Sequence, residues 1–191
     1  MDAATVAVYE RVAVTWKERR GDTTDGLGRQ FRQRVGAGLV ADLGCGAGRY
    51  LGELDGPVLG VDATAAMLTL ARPRGCPLLQ GDLEALPLAD GTVAGAFARH
   101  SYLHLPKARL PGALGEAKRV LRAGGWLMVT LIAGSYEGYE LPDDDFPGRY
   151  FACWTSPELS SVLAAAGFSE VRVTTVDRRH GAQDLLATAR C

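Results

Sequence analysis

The sequence predicts an α/β fold built on a mostly parallel, doubly wound sheet. Three observations predict it. Short apolar runs alternate with amphipathic stretches between residues 39 and 132, a strand runs straight into the alternate glycines Gly44, Gly46 and Gly48, and carboxylates recur just after successive strands at Asp62 and Asp82. A length of 191 residues favours one domain over separate cofactor and substrate halves.

Each element follows from its local pattern. Residues 1–20 read as a helix with Val6, Tyr9, Val12, Ala13 and Trp16 on one stripe, closing on the basic pair Arg19-Arg20 before Gly21. A second helix at about 27–35 leads through Gly36 and Gly38 into a buried strand at 39–43. Strands follow at 58–61, 77–80, 93–98 and 126–132, with helices at 64–71 and 106–121. From 133 to 154 regularity lapses, and glycines, prolines and acids mix with Tyr136, Tyr139, Phe146, Tyr150, Phe151 and Trp154; a long loop of this kind is often a lid or a binding loop. A helix resumes at Thr155 or Ser156, with Pro157 in its first turn and Glu158 completing a capping box, and stops at Gly167. An antiparallel hairpin ends the chain, with strands at 171–176 and 185–189 around a polar turn through Arg178, His180 and Gly181.

Composition narrows the function classes. Apolar residues at 47% and charged residues at 23% argue against disorder or a fibrous repeat. Twenty-one basic against twenty-two acidic residues leave a net charge of −1, without the electrostatic footprint that a phosphate backbone demands, so nucleic acid is not the expected partner. Cys45, Cys76, Cys153 and Cys191 lie far apart, with no CxxC pair and no histidine at ligand spacing, so no metal is expected. The first residues lack a basic-then-apolar leader and the longest apolar stretch, 126–133, is too short for a bilayer. The expectation is a cytoplasmic monomer or homodimer with reduced thiols and no membrane partner.

The segment Asp42-Leu43-Gly44-Cys45-Gly46-Ala47-Gly48 carries the chemistry, with a helix expected to open through Arg49, Tyr50 and Leu51. Only glycine combines a positive φ with close backbone approach to a ligand. By itself the triplet fits either a tight turn or a ligand resting on bare main chain. Asp62 closes the next strand, where a carboxylate can receive both hydroxyls of a ribose, and Asp82 follows the third. These carboxyl ends border the crevice in which open α/β sheets bind ligands. Charge then selects among nucleotides. Arg49 holds the position of a third dinucleotide-type glycine, and Asp42 puts an anion beside the loop, which disfavours a diphosphate. A cationic sulfonium nucleoside without phosphate, S-adenosylmethionine, fits better.

With these residues the chain resembles the class I S-adenosylmethionine-dependent methyltransferases over nearly its whole length. The resemblance rests on residues 40–48, Val61-Asp62, Gly81-Asp82-Leu83, Leu103-His104-Leu105-Pro106, and residues 119–125. It implies a Rossmann-like doubly wound seven-stranded sheet in the order 3-2-1-4-5-7-6, the last two strands coming from the C-terminal antiparallel hairpin. Residues 1–191 would form a single methyltransferase domain, with 1–36 as an N-terminal helical cap and 133–154 as an aromatic acceptor-side loop. The resemblance puts the methionine part of the cofactor on Gly44, Cys45 and Gly46, the ribose on Asp62, and the adenine against Ala63, Asp82 and Leu83. Tyr9, on a helix resembling the one that covers the cofactor in the family, joins Asp42, Ala98 and Arg99 in the expected cofactor set. Departures are Ala94, where many relatives carry an acid, and Arg99-His100, where small or amide residues are common. The N-P-P-Y type tetrapeptide is absent, which speaks against adenine or glutamine N-methylation.

Methyl transfer from a sulfonium is an in-line displacement, so positioning supplies much of the acceleration and a base is optional. A carboxylate or thiolate acceptor is already nucleophilic; a hydroxyl or ammonium must lose a proton. His100 is the favoured candidate base. His104, before Leu105-Pro106, either orders that turn or acts as the base. Arg99 either clasps the methionine carboxylate or an acidic acceptor, or is a solvated edge residue. Tyr136, Tyr139, Tyr150 and Trp154 either wall an acceptor pocket or pack on the sheet. Asp143, Asp144 and Asp145 read as a solvated acidic turn or a cation-selecting set, and Arg19-Arg20 as a solvated helix end. The expected function is methyl transfer to a small molecule. The alternatives are a tRNA-modifying methyltransferase, since Gly48-Arg49-Tyr50-Leu51 resembles wobble-uridine enzymes that esterify a carboxylate, an NAD-dependent reductase, or a non-catalytic cofactor-binding module.

Overall fold

The computed structural model describes residues 1–142, 144–177 and 182–191. Asp143 and the hairpin turn expected at Arg178, His180 and Gly181 lie outside the described residues. The helices are α1 (Ala3–Arg20), α2 (Leu27–Val35), α3 (Ala65–Ala71), α4 (Leu110–Val120) and α5 (Ser156–Ala165). The strands are β1 (Val40–Leu43), β2 (Val58–Asp62), β3 (Leu78–Gln80), β4 (Val93–Arg99), β5 (Leu121–Ile132), β6 (Glu137–Gly138), β7 (Phe151–Ala152), β8 (Ser169–Asp177) and β9 (Gln183–Arg190).

Seven strands form one sheet in the order β3-β2-β1-β4-β5-β9-β8. With the short β6 and β7 pair set aside, this is the order that the resemblance implies. The first five pair in parallel, and β9 runs antiparallel to both β5 and β8. Chain direction reverses its lateral course at β1, whose Asp42 lies opposite Gly60 of β2 on one side and Phe97 of β4 on the other. Ligand crevices of open α/β sheets form at such a switch.

Both faces of the sheet are covered, which explains why the central strands read as unbroken apolar runs. On one face Ala41, Leu43, Ala96, Ala98, Leu127 and Val129 meet Leu110, Leu114 and Ala117 of α4 and Leu159 and Leu163 of α5. On the other, Val40, Phe97 and Met128 meet Phe31 of α2 and Tyr50. Gly95 lets α2 approach, since a Cβ there would stand 2.6 Å from Val35 Cγ2.

Several local expectations are corrected. The helix expected from Arg49 onward is a succession of turns through residues 46–53, closed by short-range bonds such as Gly48 N to Cys45 O at 2.9 Å and Glu53 N to Tyr50 O at 2.9 Å. The helix expected at 106–121 begins at Leu110, after single 3-10 turns at Tyr102–His104 and Lys107–Arg109. Pro111, without an N–H, belongs in a first turn and so sets that start. Strand β5 begins five residues earlier than its apolar pattern, with an irregularity between the Val93–Leu121 and Gly95–Trp126 pairs. The loop 133–154 contains the β6–β7 pair and a bridge from Ala133 to Trp154. The capping box of α5 forms as expected, Thr155 Oγ1 accepting from the Glu158 N–H and the Glu158 carboxylate from the Thr155 N–H. Among the described residues, no helix is long and apolar enough to cross a membrane.

Candidate active site

The site starts at the end of β1. Gly44 has φ 78°, and a Cβ there would lie 2.2 Å from Ser101 Cβ, so only glycine lets the β4 end come this close. The N–H groups of Gly44 and Cys45 both donate to Val61 O, at 2.7 and 3.0 Å, tying the loop to β2. Asp62, at the end of β2, completes the tie. Its Oδ2 accepts from Gly46 N at 2.8 Å and its Oδ1 from Thr64 N at 2.9 Å. Each carboxyl oxygen has two acceptor lone pairs, so acceptor capacity remains beyond these two backbone bonds. Burial raises the Asp62 carboxyl, and the Thr64 and Gly46 N–H groups oppose that rise.

Asp42 differs from expectation. It is 2% exposed, and burial, with the Asp62 charge, pushes its carboxyl up to about 8. At neutral pH it retains a proton, so Asp42 does not supply the anion expected beside the loop.

A cleft of about 730 Å³ opens over this loop. Gly44, Cys45, Gly46 and Asp62 line it from the sheet, Tyr9 and Trp16 from α1, Arg99, His100 and His104 from the end of β4 onward, and Ile132, Arg149 and Phe151 from β5 and the loop 133–154. Asp42, Leu83 and Ala98 are buried outside this lining. Ala63 and Asp82 lie outside it too; Ala63 O accepts from Gln80 Nε2 at 3.0 Å, and Asp82 Oδ1 accepts from Glu84 N at 3.0 Å and from the Met1 amine.

His104 has both ring nitrogens engaged. Its Nδ1 is 2.7 Å from Tyr150 O, and a carbonyl only accepts, so Nδ1 carries the proton; Nε2, 2.8 Å from Tyr9 Oη, then accepts from the phenol. Arg149 Nη1 donates to the same Tyr9 oxygen at 2.8 Å. Burial first, with the Arg149 charge, lowers the His104 pKa to about 3, so the ring is neutral.

Sequence reasoning missed Arg149, which is 4% exposed, ion-paired with Asp144, and within 5.1–5.3 Å of the Tyr9, Phe146 and Phe151 ring centroids. Asp144 is therefore not part of a solvated turn. Asp145 accepts from Arg20 at 2.8 Å and lies 3.7 Å from Arg19, so the end of α1 is bonded to the loop and not merely solvated. An arginine a few residues beyond three consecutive acids was the available signal.

At the rim, Arg99 Nη2 donates to Asp25 at 2.9 Å and Nη1 to Asp184 at 3.2 Å, which places it in an ion-pair network. His100 Nε2 lies 2.7 Å from Asp184 Oδ2, and its backbone takes a φ of 54°, uncommon for a residue other than glycine. Asp25 and Asp184, more than 150 residues apart, gave no joint signal. The four loop aromatics lie outside the cleft lining. Tyr139 Oη donates to Asp2 at 2.9 Å, Tyr150 Oη to Glu137 at 2.7 Å, Tyr136 Oη accepts from Glu140 N at 2.6 Å, and Trp154 is buried in the core.

Residues 41–129 match the methyltransferase domain family, and with the strand order and glycine loop this places the chain among the class I S-adenosylmethionine-dependent methyltransferases. Among curated relatives, a probable tRNA methyltransferase 9B of Bos taurus is 38% identical over 130 residues, 66% of this chain and 28% of that protein. A malonyl-[acyl-carrier protein] O-methyltransferase of Methylococcus capsulatus is 31% identical over 163 residues, 78% of this chain and 58% of its own length. The chain thus spans less than two thirds of either relative's length. Among solved structures, the Burkholderia thailandensis 1,6-didemethyltoxoflavin-N1-methyltransferase, with bound 1,6-didemethyltoxoflavin and S-adenosylhomocysteine, has a TM-score of 0.73 at 24% identity, covering 96% of this chain and 87% of that one.

Proposed function

We propose that the chain transfers a methyl group from S-adenosylmethionine to a small-molecule acceptor. The observation that carries this reading is the Asp62 carboxylate, which fixes the glycine loop through Gly46 N and keeps acceptor capacity toward a 730 Å³ cleft. That volume lies within the usual range of ligand pockets, roughly 300–1,000 Å³. The residues fit a cationic nucleoside in further respects. A Cβ on Gly46 would meet nothing nearer than Trp16 at 4.0 Å, so bare main chain faces the cleft. Among the described residues, Ser101 Oγ beside the loop and Asp42 Oδ2 beneath it are buried without hydrogen-bond partners.

In this reading Gly44, Cys45 and Gly46 receive the methionine part, Asp62 the ribose, and Ala63, Asp82 and Leu83 the adenine, with Tyr9, Asp42, Ala98 and Arg99 around them. The cofactor supplies a methyl carbon on a positively charged sulfur. The chain's own part is largely positional. Arg149 and His104 fix the Tyr9 hydroxyl, and Phe151 and Ile132 exclude water from the acceptor side. Where the acceptor is a hydroxyl or ammonium, His100 takes its proton, and Asp184 stabilises the imidazolium that results.

Calorimetric titration with S-adenosylmethionine and S-adenosylhomocysteine tests the cofactor, and a methylation screen that starts with carboxylic acids and phenols tests the acceptor class. Thermal stabilisation by NAD but not by S-adenosylmethionine would replace this reading with a reductase. Steeply salt-dependent tRNA binding would favour the tRNA enzyme suggested by the relative's name.

A further inference from the structure

We propose that Arg49 is the carboxylate-receiving residue of the cleft, a site for either the carboxylate of the cofactor's amino-acid tail or that of an acidic acceptor. The inference rests on the methyltransferase reading for those two sources, but the observation that points to it is independent.

Four arginines line the cleft: Arg20, Arg49, Arg99 and Arg149. Three are neutralised within the chain. Arg20 pairs with Asp145, Arg99 with Asp25 and Asp184, and Arg149 with Asp144. Among the described residues, Arg49 has no carboxylate partner, and its Nε is buried with no hydrogen bond. A guanidinium N–H withdrawn from water and left unbonded costs about 1–3 kcal/mol, more for a charged group, and a ligand that accepts from it recovers that free energy.

The side chain is also oriented in advance. Its guanidinium lies 5.7 Å from the Tyr50 ring centroid, and the Tyr50 ring rests at 5.4 Å on Phe97 of β4. Stacking leaves the in-plane N–H groups free to form the two parallel bonds that match a carboxylate. The surroundings select among anions. Of the acids lining the cleft besides Asp62, Asp25 and Asp184 are offset by Arg99, while Asp177 repels a dianionic phosphate more strongly than a monocarboxylate. Arg99, the other candidate for this task, already has both terminal nitrogens on Asp25 and Asp184.

The test compares wild type, Arg49→Gln and Arg49→Lys by calorimetry, after thermal melts confirm that all three fold. Three probes are used: S-adenosylhomocysteine, its decarboxylated analogue 5′-deoxy-5′-(3-aminopropylthio)adenosine, and octanoate with phenylacetate as simple monocarboxylates. If the cofactor supplies the carboxylate, Arg49→Gln weakens S-adenosylhomocysteine by about 10- to 100-fold and leaves the decarboxylated analogue unchanged, with Arg49→Lys between, as expected for one charge-assisted bidentate pair. If the acceptor supplies it, both nucleosides bind all variants alike, while the monocarboxylates bind wild type and lose about tenfold or more in Arg49→Gln. Unchanged affinity for every probe in Arg49→Gln overturns the proposal. Failure of wild type to bind either nucleoside defeats the methyltransferase reading instead, and the monocarboxylate arm still decides the role of Arg49.

Discussion

Tyr9 and His104, ninety-five residues apart in the chain, meet at 2.8 Å between Oη and Nε2, and this contact joins the N-terminal helix to the turn after β4. Its direction is fixed by the Tyr150 carbonyl, which accepts from Nδ1 and so leaves Nε2 as the acceptor for the phenol. Arg149 then donates to the Tyr9 oxygen from the other side. The contact therefore requires a neutral imidazole protonated on Nδ1.

Nitrogen-15 spectra should show this tautomer for His104 from pH 8 down to pH 5, because burial holds its pKa at about 3. A histidine resonance assigned to His104 that titrates near pH 6.5 contradicts the assignment. The sign for stability follows: the unfolded ring takes a proton below about 6.5 and the folded one does not, so this residue lowers stability as pH falls from 6.5 toward 3.

Gly44→Ala should destabilise the protein for two separable reasons. The left-handed φ of 78° costs a non-glycine residue about 1–3 kcal/mol, and the new Cβ would lie 2.2 Å from Ser101 Cβ, an overlap that costs a similar amount. Adding Ser101→Gly removes the overlap and leaves the backbone strain. Urea unfolding should therefore show partial recovery in the double variant; no recovery at all contradicts the contact.

Asp62 and Asp82 make different predictions. Asp82→Ala removes one cofactor acceptor, worth about 1–3 kcal/mol, and should weaken S-adenosylmethionine by roughly 10- to 100-fold; it also frees Glu84 N and the Met1 amine, but at a side chain 43% exposed, so the thermal midpoint should fall less than in Asp62→Ala. Asp62→Ala also releases the Gly46 and Thr64 N–H groups, so affinity and midpoint should fall together. Equal behaviour of the two variants would remove the distinction between them, and an unchanged affinity in Asp82→Ala would remove its proposed role.

The placement of the cleft was legible because glycines and acids sit where β1 and β2 end, and such residues keep their meaning whatever packs around them; the strand order followed only from the family resemblance that those residues carry. Tyr9 was legible through the stripe it shares with Ala13 and Trp16, which packs beside Ala47 and Met67. What was hidden are pairings across the chain. Arg99 carries no mark of Asp25 or Asp184, and Arg149 none of Tyr9, because an ion pair leaves no periodic trace in sequence. The loop aromatics misled for a related reason: Trp154 serves the core and Tyr139 meets Asp2, and a side chain's type does not say which way its loop turns. Gly46 and Gly48 were read correctly as conformationally special, yet the segment after them forms turns closed mostly by three-residue bonds rather than the expected helix, a difference its apolar pattern does not mark.

Asp42→Asn should flatten the pH dependence of stability on the alkaline side. The buried Asp42 carboxyl keeps its proton up to about pH 8, whereas the unfolded group loses it near 3.8. Between those values the folded state binds the extra proton, so this group's contribution falls as pH rises, by up to ~1.4 kcal/mol per pH unit, and the loss is complete above pH 8. His104 acts in the opposite direction only below about 6.5, so urea unfolding at pH 6.5, 7.2 and 8 avoids that histidine, and the difference between wild type and Asp42→Asn reads Asp42. Wild type should lose stability across that interval, and Asp42→Asn, which has nothing to titrate at this position, should lose less. The amide also tests the cofactor's charge: a sulfonium bound near the loop favours the ionised form of Asp42, so S-adenosylmethionine binding should release a fraction of a proton in wild type and none from this site in the variant. Calorimetry in buffers of different ionisation enthalpy measures that release, and equal proton release by the two proteins, together with parallel pH slopes, would show that residue 42 is ionised throughout.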